Sequence, residues 1–190
     1  TMSILPKILM ITIVIALISI SQCASADDDR LTGTLPIITK KCIQVGNAYT
    51  GYWTSILDKI IAYTMSSIPL KALDEDPLVV WLTGGPGCSS LLASFYENGP
   101  FLFASESTNL RVNDHSWNKR ANLLYLEIPG GVGFSTGPDE AINDESVAKE
   151  TVTALNLFLA RFPAFRKSDL YFSGHGYAAV FIAYTAKAII

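Results

Sequence analysis

Residues 170–183 read L-Y-F-S-G-H-G-Y-A-A-V-F-I-A. The apolar run Leu170-Tyr171-Phe172 has strand composition. Gly174-His175-Gly176 then breaks the pattern, and an apolar helical pattern begins at Tyr177. The stretch therefore predicts a strand, a sharp turn and a helix. Gly176 stands at the tip of that turn, and Ala178 closes the five-residue frame opened by Gly174. A Gly-x-Gly turn alone decides little, because many strand-to-helix loops use glycine for its dihedral freedom. Its meaning depends on the elements before it.

The residues upstream supply those elements. Pro77-Leu78-Val79-Val80-Trp81-Leu82 is apolar without alternation, the pattern of a central strand buried on both faces. It runs into Thr83-Gly84-Gly85-Pro86-Gly87-Cys88-Ser89-Ser90. Such a loop lets backbone N–H groups face a ligand closely, and its glycines exceed what a plain turn requires. Residues 91–96 read as a short helix ended by Asn98-Gly99-Pro100, and 101–113 read as loop. Leu123-Leu124-Tyr125-Leu126 is a second buried strand, feeding a second glycine loop from Pro129 to Ser135. Residues 145–162 are the clearest helix, capped by Asn143 or Asp144 and stopped by Pro163. Its apolar stripe is Val152, Leu155, Phe158, Leu159 and Phe162. Two further strands are predicted over 49–54 and 60–65. This order is that of an α/β fold, with the ligand at the carboxyl ends of the strands, where both glycine loops and the turn meet.

Composition agrees with a folded domain: 49% of the 190 residues are hydrophobic and 16% charged. A net charge of −3 gives no reason to expect nucleic acid as a partner. Residues 1–26 read as a secretory signal, with Lys7, an apolar stretch over 8–20 and Ala24-Ser25-Ala26 as cleavage site. The apolar stretch is shorter than the roughly 20 residues a membrane-spanning helix needs, so no stable membrane anchor is expected. Residues 27–48 read as an extended arm, leaving 49–190 as the folded domain. After signal cleavage Cys42 and Cys88 remain, free to pair with each other or with other partners. No metal constellation and no cofactor motif is present.

The loop Trp81-Leu82-Thr83-Gly84-Gly85-Pro86-Gly87-Cys88-Ser89-Ser90 closely resembles the signature loop of the serine carboxypeptidases, secreted or vacuolar α/β-hydrolases. The likeness continues through Glu97-Asn98-Gly99-Pro100-Phe101, Ser116-Trp117-Asn118, residues 121–127, and Pro129 with Gly131-Val132-Gly133-Phe134-Ser135. It ends at the Gly174 frame, which resembles the nucleophile elbow of that superfamily. The resemblance implies an α/β-hydrolase-type, mostly parallel central sheet with flanking helices, here truncated after the elbow helix. It implies removal of C-terminal residues from peptides by a serine, with a histidine oriented by an aspartate moving the proton. Some plant relatives use the same site for acyl transfer.

Carried over residue by residue, the nucleophile position falls on Gly176, which has no hydroxyl. The oxyanion hole falls on the backbone N–H groups of Gly85 and Tyr177. The places that hold a substrate carboxylate fall on Thr83, Gly84, Glu97 and His175. Threonine at the first resembles the acyltransferase branch. His175 stands where the family has an acid, and Glu127 where it has an aspartate. The residues after Gly176 contain no Asp and no His, and the family partner of Cys88 also lies beyond them. The expectation is thus an N-terminal portion without catalysis. Two other readings stand beside it. One is a secreted binding protein for a carboxylate or peptide end, or a relic of an acyltransferase. The other is a chain that folds poorly around an exposed apolar strand edge. His175 reads either as half of a carboxylate-binding pair with Glu97 or as a polar residue at an exposed turn. His115 reads as a loop residue, and Ser89 and Ser90 as the start of the short helix.

Overall fold

A computed structural model describes residues 48–54, 60–66, 76–104, 110–137 and 142–190. The expected signal, Cys42 and nearly all of the expected arm lie outside these residues. Seven strands lie among the described residues: β1 (Ala48–Thr54), β2 (Ile60–Ser66), β3 (Leu78–Thr83), β4 (Phe101–Phe103), β5 (Leu110–Val112), β6 (Asn122–Leu126) and β7 (Leu170–His175). The helices are α1 (Leu91–Tyr96), α2 (Asp144–Arg161) and α3 (Ala178–Ile189). Short 3₁₀ turns occupy Trp117–Lys119 and Pro163–Lys167.

Five strands form one sheet in the order β1-β2-β6-β3-β7. β3 runs parallel to both β6 and β7, with Val80 opposite Leu124 on one side and Phe172 on the other. β1 and β2 are a hairpin that joins β6 antiparallel. The order is that of an α/β-hydrolase sheet, and the parallel half carries the loops of interest.

The unbroken apolar run of β3 has a simple cause. Leu78, Val80 and Leu82 face a core shared with Leu124, Leu126, α2 and α3. Val79 and Trp81 face the other side, with Leu123, Tyr125, Ala93 and Ala121. Both faces are covered, so no polar alternation is tolerated.

Helix α2 starts one residue before the predicted boundary, in a capping box. The Asn143 side chain accepts from the Ser146 N–H at 2.9 Å, and the Ser146 hydroxyl accepts from the Asn143 N–H at 3.1 Å. Its buried face also differs from the predicted stripe. Val147, Ala148, Thr151, Ala154, Leu155 and Phe158 are buried, whereas Val152 and Leu159 are half-buried. Small residues let the helix lie close to its neighbours, and the Thr151 hydroxyl is satisfied by the Val147 carbonyl at 2.8 Å.

Residues 101–113, read as loop, contain the antiparallel pair β4–β5. Three-residue strands are too short to show a period. The Asn113 side chain holds the pair's base, donating to the Gly99 carbonyl at 2.9 Å.

Candidate active site around the elbow and glycine loops

The first glycine loop leaves the end of β3 and is closed on itself. The Thr83 N–H donates to the Ser90 hydroxyl at 3.1 Å, and the Cys88 N–H to the Gly84 carbonyl at 3.0 Å. The Thr83 side chain is buried and accepts from the Trp81 indole N–H at 3.1 Å. At Gly85 φ is +111°, a value an L side chain rarely adopts. Gly84 is required for a different reason. A Cβ there would fall 2.5 Å from the Tyr177 nitrogen and 2.6 Å from the His175 carbonyl oxygen. Only glycine lets this loop lie against the elbow backbone.

The elbow itself follows β7, whose last residue, His175, pairs with Thr83. Gly176 takes a φ of +60°, and a Cβ on it would meet nothing within 4 Å. The tip therefore points into open space. Tyr177 precedes α3. Neither the Gly85 nor the Tyr177 N–H bonds to a backbone carbonyl of a described residue. The Tyr177 hydroxyl donates to the Asp144 carboxylate at 3.1 Å, which ties the elbow to the start of α2. That bond holds the phenol's proton and raises its pKa.

His175 and Glu97 come together across the sheet end. His175 Nδ1 lies 3.8 Å from Glu97 Oε2, with the side chains 55% and 41% exposed. In this much water the pair contributes little to stability. It does place a potential cation and an anion beside one another. The His175 ring sits 6.4 Å from that of Trp81, which in turn meets exposed Trp117 edge-on at 5.4 Å. Behind Glu97, the buried Tyr125 hydroxyl donates to Asn98 Oδ1 at 2.8 Å. Burial, and secondarily the Glu97 charge, push the Tyr125 phenol far above its usual range, so it stays a neutral donor.

The remaining sequence candidates fall as follows. Ser90 does not cap α1 with its side chain; its hydroxyl is turned back to Thr83. Ser89 accepts from the Leu91 N–H at 3.2 Å and donates to the Glu127 carboxylate. Ser135 donates to the Glu127 carbonyl at 2.5 Å. His115 is exposed in a turn, and Cys88 is free and exposed. Sequence reasoning missed the contacts of Glu127. The available signal was an acid directly after a fully buried strand and before a glycine loop.

The serine carboxypeptidase family profile matches residues 43–190. The chain belongs to the serine carboxypeptidase family. Serine carboxypeptidase-like 46 of Arabidopsis thaliana is 35% identical over 196 residues, covering 98% of this chain and 42% of its own. The lysosomal protective protein of Mus musculus is 41% identical over 118 residues, covering 61% of this chain and 25% of its own. Among solved structures, a prohormone-processing carboxypeptidase from Saccharomyces cerevisiae superposes with a TM-score of 0.78 at 25% identity. That likeness covers 88% of this chain and 39% of the other. The chain thus spans less than half the length of each of these serine carboxypeptidase relatives. Gly176 lies at the elbow tip of a serine carboxypeptidase fold, with the first glycine loop lying against the elbow backbone.

Proposed function

We propose that this protein keeps the ligand site of a serine carboxypeptidase and lacks its acyl-enzyme step. The observation that carries the reading is Gly176. It occupies the elbow tip at positive φ with free space where a side chain would stand, and hydrogen cannot attack a carbonyl. No covalent intermediate can form at that position, whatever else the protein contains.

Binding is another matter. The Gly85 and Tyr177 N–H groups are backbone donors, so the loss of a serine side chain leaves them in place. Thr83, Gly84, Glu97 and His175 gather at the same sheet end. A protonated His175 supplies N–H donors and a positive charge, and Glu97 supplies an acceptor. Such a set suits a free carboxylate followed by an amide N–H, which is the end of a peptide. A secretory-pathway location agrees with the signal expected over residues 1–26 and with a relative named for the lysosome.

Calorimetric titration with an N-acetylated dipeptide tests this. Heat is expected with the free acid and none with its amide, and the acid should release no C-terminal residue above background. Turnover abolished by substitution of Gly176's neighbours would overturn the non-catalytic half. Equal binding of acid and amide would overturn the carboxylate half.

A further inference from the structure

Glu127 is 1% exposed, and among the described residues no Lys, Arg or His forms an ion pair with it. A buried carboxylate is costly unless hydrogen bonds replace its water. Here both oxygens act as acceptors, and their donors come from different loops. Oε1 takes the Ser89 hydroxyl, at the end of the first glycine loop, and, at 3.4 Å, the Leu91 N–H at the start of α1. Oε2 takes the Phe134 N–H of the second glycine loop at 2.8 Å. The second loop is moulded to this group: a Cβ on Gly133 would fall 1.5 Å from Oε2. The two ends of the first loop are tied to each other by the Thr83 N–H and the Ser90 hydroxyl, and Gly84 abuts Tyr177.

We infer that Glu127 is a positioning residue for the ligand site, fixing the first glycine loop against the second and so the direction of the Gly85 N–H. This rests on the site proposed above. An apolar residue could fill the same space; an acceptor-only group with two oxygens is needed to hold donors from both loops at once.

The test uses the full chain with ¹⁵N labelling, in wild type, Ser89→Ala, Glu127→Gln and Glu127→Asp. Ser89→Ala, the gentlest change, should shift the Gly85 and Tyr177 amide resonances and weaken acetylated-dipeptide binding by about tenfold, the worth of one charge-assisted hydrogen bond. Its thermal midpoint should fall by several degrees, because Oε1 loses its hydroxyl donor, so both readouts are taken at a temperature where the variant is fully folded. Glu127→Asp should lie nearer wild type than Glu127→Gln, because it keeps the two acceptors. Unmoved Gly85 and Tyr177 resonances in a folded Ser89→Ala protein overturn the inference. So does wild-type affinity in that variant. If wild type itself fails to bind, the site proposal falls, and the two resonances alone decide whether Glu127 places the loop.

Discussion

Gly176 and Gly84 are both glycines at the site, yet they resist substitution to different degrees. At Gly176 the obstacle is only the backbone, since a side chain would meet nothing within 4 Å. Gly176→Ser should cost about 1 kcal/mol for the left-handed φ and lower the thermal midpoint by a few degrees, about 2–4 °C. At Gly84 the obstacle is the elbow itself, 2.5 Å from the new carbon. Gly84→Ala should cost about 3 kcal/mol, and a midpoint unchanged by it would show that the loop does not touch the elbow. Tyr125 gives a prediction in pH. Its folded-state pKa is raised, so its contribution is complete below about pH 10, where the unfolded phenol ionises, and is lost as the pH rises further. Urea unfolding of wild type should weaken more steeply between pH 9 and 11 than that of Tyr125→Phe; parallel slopes would refute it. The glycines were legible as a motif. What separates them was not, because the clash at Gly84 depends on a chain segment far away in sequence. Glu127 escaped for the same reason: its partners Ser89 and Phe134 lie on either side of it, in two loops that meet only in three dimensions.

At the level of elements, local signals served best where they were long. The central strands were readable because burial on both faces removes alternation, as β3 and β6 show. Helix α2 was readable from its capping residue and from Pro163, but its buried face was not. Apolar periodicity marks Val152, while the fold buries Thr151, whose hydroxyl turns back to its own helix. β4 and β5 were missed because three residues carry no period. The cap can be tested directly. Asn143→Ala removes the acceptor for the Ser146 N–H and should lower stability by about 1 kcal/mol, measured by urea unfolding. No change would mean that Asp144 takes over the cap.

On the scale of the whole molecule, β7 is one of the two edge strands of the described sheet, and it presents Leu170 at 38% and Tyr171 at 54% exposure. An unpaired apolar strand edge invites a second strand. A polypeptide of residues 1–190 alone should self-associate as its concentration rises in size-exclusion chromatography, and Tyr171→Lys should suppress this. A wild-type chain that stays monomeric throughout would show the edge to be harmless. The close approach of Gly84 to the Tyr177 backbone has a consequence in time. The β1–β2 hairpin and α2 close short loops and can form early. The approach of Gly84 to Tyr177 requires β3 and β7 to have aligned first, and the entropy of such distant closure slows it. During refolding, far-ultraviolet ellipticity should therefore recover before the chain regains any capacity to take a ligand.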